Sequence, residues 1–423
     1  MAWRETCRMG ERLRFVTSCD AGEESVSELC RRYGVSRKTG YKWLGRYRAF
    51  GAEGLFDRSR AAHEHPNAVT SSVCQTVLAV RYEHPRWGPK KIKAWLERRV
   101  PEEHWPAAST IGRILEREGI VGARRRRRRT VAYDLPFEAC QAANDVWCMD
   151  FKGWFLTGDG TRVDPFTLSD GHSRYLLACQ AVGRADLSHV WHVLEGAFRA
   201  YGLPKAIRSD NGPPFGSTAP GGLSRLGVRL IKAGVMPERI RPGHPEENGR
   251  HERMHLTLKQ ETASPPARSL QAQIERFAAF QLSYNHERPH EALGQTPPAS
   301  HYQHSPRVWD GCLREPEYGS EFVVRRVRTN GQIKWRGARV FISEVLIGER
   351  VALSDAGAEG WRVFYGPVAL GVIGRDQRLK RYTRPMDMMD KPSGLPTSPQ
   401  ANNRKNSSND HEHNKKTVTH APG

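Results

Sequence analysis

The sequence predicts a multidomain protein: an all-α N-terminal third, an α/β centre and a small β-rich C-terminal part. Three observations carry this. Apolar residues recur at helical spacing up to about residue 121, short strand-like runs alternate with amphipathic helices from about 144 to 303, and alternating runs bounded by turn residues follow Pro306. A chain of 423 residues exceeds what one core usually organises, and 38% apolar residues suffice to fill several. The expected divisions are two helical domains at 1–60 and 66–123, a linker at 124–143, the α/β core at 144–305, the β-rich domain at 318–376 and a disordered tail at 383–423.

In the first helical domain, Val26, Leu29, Cys30 and Tyr33 form an apolar stripe, Gly34-Val35 turns the chain, and Ser36 is placed to cap a second helix through Trp43, Leu44 and Tyr47. That layout is a helix-turn-helix. Its second helix opens Ser36-Arg37-Lys38-Thr39, and the first residues of such a helix are the ones that reach base edges in the major groove. Arg37, Lys38 and Lys42 on its outward face favour DNA contact over an ordinary helical hairpin. The second domain has helical patterns over 73–82, 89–99 and 109–118, with Ser109 and Thr110 as candidate caps of the last and Arg113 and Arg117 outward. Arg124 to Arg129 are six consecutive arginines, too repulsive to pack as a helix, and read as a linker that lies on phosphate when DNA is near.

The core pattern is three strands (146–152, 162–170 and 174–182), an amphipathic helix over 186–201, a short strand over 205–210, a helix over 222–235, a strand over 238–241 and a long helix over 246–261. This is a mixed α/β layer of the RNase H type. Beyond it, strands are expected at 322–328, 333–335, 339–342, 350–354 and 361–365, with Asn330-Gly331 as a hairpin turn and a small SH3-like barrel as the result. After Leu395 the chain has almost no apolar residues and cannot offset its ordering entropy.

The formal charge is +20, and residues 1–130 hold 28 Lys+Arg against 15 Asp+Glu, so thirteen of those twenty charges lie in the first third. Such clustering suits a polyanionic partner, because each phosphate neutralised releases condensed counterions. Apolar runs are too short to span a bilayer, and the first residues lack a signal-peptide pattern, which leads to the expectation of a cytoplasmic, nucleoid-associated protein. The eight cysteines contain no C-x-x-C pair and read as reduced, mostly buried thiols rather than zinc ligands or disulfides. The absence of a G-x-x-x-x-G-K-[ST] loop argues against a nucleotide cofactor.

Three acidic residues stand out by context. Asp150 lies in the apolar run Val146-Trp147-Cys148-Met149-Asp150-Phe151, where a carboxylate is costly without a cation. Asp210 ends a strand and is followed by Asn211-Gly212, a turn that frees its side chain. Glu252 falls on the helix after Pro245, with Met254 and Leu258 pointing roughly the other way. Mg²⁺ and Mn²⁺ need only a few carboxylate oxygens plus waters and phosphate, so three carboxylates suffice for two ions about 3.5–4 Å apart.

These segments resemble the integrase core shared by insertion-sequence transposases and retroviral integrases. Trp147 to Phe151 look like that family's first-Asp strand, Ser209 to Gly212 its second-Asp turn, and His244 to Arg253, continuing to Leu258-Lys259, its Glu helix. Tyr284-Asn285, Arg288-Pro289-His290, Leu293 and Thr296-Pro297 match the block that follows the core. The resemblance implies a DDE transposase in which Asp150, Asp210 and Glu252 hold the metal and carry catalysis on double-stranded element ends and target DNA, with copies of the chain assembling in a synaptic complex. The 41 residues between Asp210 and Glu252 exceed the family's commonest spacing, and the 213–221 loop and following helix can absorb the surplus. Glu246 and Glu247 compete with Glu252 but sit where acids complement a helix dipole. Lys259 is either a phosphate contact, as the resemblance implies, or a solvated helix lysine; Asn211 and Asn248 either orient water or substrate or serve turns and caps. A catalytically inactive DNA-binding regulator and another RNase H-like nuclease are the alternatives.

Overall fold

The computed structural model describes residues 7–58, 68–121, 140–183, 185–240 and 249–382, in two compact units, Met1–Thr70 and Ser71–Gly423. The arginine run, Glu246, Glu247, Asn248 and the C-terminal tail lie outside the described residues.

The first unit holds α1 (Arg8–Ala21), α2 (Val26–Arg32) and α3 (Arg37–Phe50) around Phe15, Val16, Leu29, Cys30, Trp43, Leu44 and Leu55. Ser25 and Glu28 close a capping box on α2, and Ser36 caps α3 by accepting from the Thr39 N–H at 3.2 Å. Gly34 takes φ 64° in the turn between them. Gly40 lies where a Cβ would run into Cys30 Sγ and Phe15, so the absence of a side chain there lets α3 approach α1 and α2. α1 has no counterpart among the elements expected from the sequence. Its only buried residues are Phe15 and Val16, too few to make a visible period.

In the second unit, α4 (Ser71–Glu83), α5 (Pro89–Arg99) and α6 (Ala108–Arg117) form the second helical group. Neither Ser109 nor Thr110 caps α6: Ala107 occupies the cap position without a side-chain bond, because burial of Ile111, Ile114 and Leu115 sets where the helix lies. The group docks on the core within this unit. Lys90 pairs with Glu291 at 3.0 Å and Arg98 donates to the Glu287 carbonyl at 2.8 Å.

The core sheet has six strands: β1 (Val146–Phe151), β2 (Phe155–Leu156), β3 (Arg162–Asp170), β4 (Leu176–Val182), β5 (Ala206–Ser209) and β6 (Met236–Arg239). β3 pairs antiparallel with β1, β2 and β4, whereas β1–β5 and β5–β6 are parallel, so the sheet is mixed. One face packs on α7 (Leu187–Tyr201) and α8 (Arg225–Lys232) through Trp147, Met149, Phe166, Leu168 and Ile207. The other is covered by α9 (Gly249–Thr262) and α10 (Leu270–His286) through Val163, Met254, Leu258, Phe277 and Phe280. α8 is shorter than expected: residues 220–222 turn first, with Gly221 and Gly222 at φ 63° and 66°, and Ser224 caps it through the Gly227 N–H at 3.1 Å.

The C-terminal part comprises β7 (Val323–Arg326), β8 (Gln332–Trp335), β9 (Ala338–Phe341), β10 (Arg350–Asp355), β11 (Trp361–Tyr365), β12 (Val368–Ile373) and β13 (Leu379–Arg381). Five strands make an antiparallel sheet in the order β13-β12-β11-β10-β7, and β8-β9 form a separate hairpin. The Asn330-Gly331 turn forms, but it does not join paired strands. β7 pairs with β10 instead, where Val323 and Val324 meet Leu353 and Ala352, and the hairpin closes at Arg336-Gly337, both at positive φ. β12 and β13 were not foreseen; Val368 to Ile373 is almost wholly buried and therefore lacks alternation. Leu223, Val228 and Ile231 of the α8 region share a core with this sheet.

Candidate active site

β1 and β5 run parallel with Val146 opposite Ala206, Trp147 opposite Ile207 and Cys148 opposite Arg208. Asp150 lies near the carboxyl end of β1 and Asp210 directly follows β5, so both fall at the carboxyl ends of adjacent parallel strands. Along β1, Trp147 and Met149 enter the α7–α8 core while Val146 and Cys148 lie on the opposite face, so strand alternation puts Asp150 on the face that α9 covers. Asp210 is half-buried and accepts the Gly212 N–H at 3.2 Å. Burial pushes its carboxyl above the usual range, partly offset by that N–H.

α9 supplies the third expected acid and two residues that the sequence reading missed. Glu252 is exposed on its first turn, while Met254 and Leu258 are buried, as their spacing predicted. Lys259, seven residues on, is exposed on the same flank. His251 and His255 are buried against β3: His251 Nε2 and His255 Nε2 each stand 2.7 Å from Thr167 Oγ1, and His251 Nδ1 stands 3.0 Å from Ser169 Oγ. His255 Nδ1 lies 3.8 Å from Asp150 Oδ2. Burial pushes His251 down to about 3; burial, then His251 and Lys152, push His255 down to about 2, so both rings are neutral at physiological pH. The available signal was the i, i+4 pair of histidines on the apolar stripe of the Glu helix.

Other carboxylates of the core are committed to structure. Asp170 accepts from the Asn144 N–H at 2.8 Å and from the Ser173 N–H and hydroxyl at 2.7 Å each. Asp145 accepts from the Gln141 and Ala142 N–H groups at 3.0 and 2.7 Å and pairs with Lys205 at 2.7 Å. Asp210 has a far thinner set of donors, and a half-buried carboxylate so supplied is a site that a hard cation would relieve. Among the described residues no group of three or more His, Cys, Asp or Glu side chains is close enough to hold a metal ion. Asp150 lies near the carboxyl end of β1, Asp210 directly follows β5, and Glu252 is exposed on the first turn of α9; among the described residues the three are not gathered into one metal-holding group.

Asn211 takes the turn role: its Nδ2 donates to the Ile240 carbonyl at 2.9 Å. The block after the core is a clasp. Asn285 accepts from the Leu176 N–H and donates to the Leu176 carbonyl, at 2.8 and 2.9 Å, holding the start of β4. Arg288 pairs with Glu261, and His290 stacks edge-on to Tyr284.

On α3, Arg37, Lys38 and Lys42 are exposed, as expected, although Lys42 also lies over the Trp43 ring at 4.5 Å. Tyr41 is exposed between them and was overlooked. Arg113 and Arg117 on α6 are exposed, with Arg113 donating to Thr110 and Arg117 3.9 Å from Glu118. All eight cysteines are free; Cys30, Cys140, Cys148 and Cys179 are buried, whereas Cys7 and Cys312 are exposed. No helix among the described residues is long and apolar enough to cross a membrane.

Comparison with known proteins agrees with this layout. Residues 11–63 match a helix-turn-helix domain family and 39–115 a homeodomain-like family, while 141–245 and 233–298 match integrase core domain families. The chain is 28% identical over 247 residues to the insertion element IS407 uncharacterized 31.7 kDa protein of Burkholderia multivorans, covering 56% of this chain and 82% of that one. It is 26% identical over 274 residues to the insertion element IS476 uncharacterized 39.2 kDa protein of Xanthomonas euvesicatoria, covering 64% and 75%. Solved structures similar to it include the HTLV-2 integrase catalytic core domain in complex with magnesium (15% identity, TM-score 0.30, 38% of this chain and 99% of that one). Another is the simian T-cell lymphotropic virus intasome in complex with PP2A regulatory subunit B56 gamma (15%, 0.35, 73% and 99%). Overlays that loose support no argument about the site.

Proposed function

We propose that this chain, which carries helix-turn-helix and integrase core domains and is related to insertion-element proteins, is a DDE transposase that binds element ends and catalyses metal-dependent DNA cleavage and strand transfer. The observation that supports the reading is that Asp150 and Asp210 fall at the carboxyl ends of β1 and β5, two adjacent parallel strands. Asp150, Asp210 and Glu252 would hold Mg²⁺ or Mn²⁺, as two ions. Bound there, the ions supply Lewis acidity to the attacking and leaving oxygens of a phosphodiester exchange.

The chain's own residues bind and orient. Arg37, Lys38 and Lys42 on α3, with Arg113 and Arg117 on α6, contact double-stranded DNA, and Lys259 meets the phosphate next to the reacting bond, on the same helix flank as Glu252. The domain divisions anticipated from the sequence, including an SH3-like C-terminal domain, are part of this reading. So are a cytoplasmic, nucleoid-associated location and a homo-oligomer on paired ends. Phosphodiester exchange needs no nucleotide cofactor. A catalytically inactive regulator would have no use for all three carboxylates, and all three are present.

The test is cleavage of a duplex carrying the element end. It should require Mg²⁺ or Mn²⁺, stop on chelation and ignore ATP. Full cleavage after exhaustive chelation would overturn the reading.

A further inference from the structure

Arg239 closes β6 and pairs in register with Ser209, the residue before Asp210. The strand end is locked to the Asp210 turn: the Ile240 N–H donates to the Ser209 carbonyl at 3.1 Å, and Asn211 Nδ2 to the Ile240 carbonyl at 2.9 Å. The Arg239 guanidinium reaches into the loop that follows, the same 213–221 segment that lengthens the interval between Asp210 and Glu252. Two glycines make the room. A Cβ on Gly216 would stand 2.9 Å from Arg239 Nη1 and 2.6 Å from the Asn211 carbonyl oxygen, and one on Gly222 would run into Nη2. The loop is fastened on its far side, where the Gly221 N–H donates to the Tyr382 carbonyl at 3.3 Å.

What this guanidinium lacks is an acceptor. Arg208 pairs with Glu238 at 2.8 Å and Arg307 donates to the Pro204 and Gly234 carbonyls, whereas among the described residues no carboxylate or carbonyl accepts from Arg239. Burial pushes its pKa down, and no neighbouring acid opposes that shift. The side chain is only part-buried, so solvent and a ligand can reach it. A partly desolvated cation without a counter-charge costs free energy, and an anion that arrives beside it offsets that cost. The planar guanidinium fork fits two oxygens of one phosphodiester.

We propose that Arg239, in its cradle of Gly216 and Gly222, is a phosphate site that grips the backbone of bound double-stranded DNA beside the Asp210 turn. This rests on the reading of the core as one that acts on DNA. Arg239 is a binding residue there, and the chemistry stays with the carboxylates. The phosphate belongs either to the element end or to the target duplex, and the test separates the two.

The experiment uses the full-length chain, a pre-cut end duplex and a target duplex, and measures their joining with each DNA varied in turn. Arg239→Gln removes the charge and should raise KM about tenfold for one of the two duplexes, with the loss in KM rather than in kcat. A raised KM for the end assigns the phosphate to the element, and a raised KM for the target assigns it to the target. For that duplex the slope of log affinity against log salt should be shallower by about one. Arg239→Lys keeps the charge, so it should return the parent's slope and part of the affinity. Unchanged KM for both duplexes overturns the proposal and leaves the proposed function standing, as does a Lys variant with the slope of the Gln variant. If the parent joins no DNA at all, the proposed function fails. Arg239 is then judged by metal-free binding of the two duplexes, where an Arg239→Gln chain as tight as the parent overturns it.

Discussion

Asp145 and Asp210 lie at opposite ends of the two parallel strands β1 and β5, and they are treated in opposite ways. Asp145, just before β1, accepts two backbone N–H groups and an ammonium. Burial acts to raise its carboxyl, but Lys205 and the Ala142 and Gln141 N–H groups outweigh that and hold it below the usual range. Asp210, just after β5, has the Gly212 N–H at 3.2 Å and is pushed up by burial. The number of donors aimed at a carboxylate separates an acid that holds the fold from one that the proposed function would give to a cation.

The largest expected effect tests that separation directly. Asp210→Asn or Asp150→Asn should lower end cleavage by about 10²–10³ or more while leaving binding to an end-containing duplex intact. Asp145→Asn, measured per folded molecule, should cleave nearly as the parent does. Equal losses at both ends of the strands would erase the distinction. Glu252→Gln should behave like the strand-end variants without lowering the unfolding temperature, since its side chain is exposed. Near-parental cleavage by that variant would move attention to Glu246 or Glu247.

Stability should divide the same two acids with opposite signs. A carboxyl held low stabilises the fold above its unfolded value, 3.8, and that contribution is lost as pH falls through the lower folded value. Asp145→Asn should therefore cost about 1–3 kcal/mol in urea unfolding at neutral pH, with the difference shrinking in acid. A carboxyl held high does the reverse: its stability is complete below 3.8 and falls as pH rises through the raised folded value. The metal-free Asp210→Asn protein should accordingly unfold at a higher temperature than the parent at neutral pH, and the advantage should vanish below about pH 3.8. A destabilised Asp210→Asn would mark Asp210 as a structural acid like Asp145.

The smallest effect concerns the first unit alone. Arg37→Ala with Lys38→Ala should make the slope of log affinity against log salt shallower by roughly two, and should leave cleavage unchanged once DNA is saturating. An unchanged slope would remove these residues from the phosphate contacts.

Local chemistry made much of this molecule legible in the sequence. Gly34 and Ser36 announce the turn and α3 because caps and positive-φ turns are decided by a few neighbouring residues. Asp150, Asp210 and Glu252 stood out because a carboxylate beside an apolar run, or at a strand-ending turn, conflicts with its surroundings. Pairing was another matter. The sequence offered Asn330-Gly331 as a hairpin, and burial of Val324 against Ala352 sent β7 to β10 instead. Nor could it show how Asp145 and Asp170 are satisfied, since part of their donors come from residues up to sixty positions away, such as Lys205. Only the tertiary structure decided which acids are satisfied and that Thr167 joins His251 to His255, because hydrogen-bond satisfaction in a buried site depends on contacts that β-pairing and helix docking create across long sequence distances.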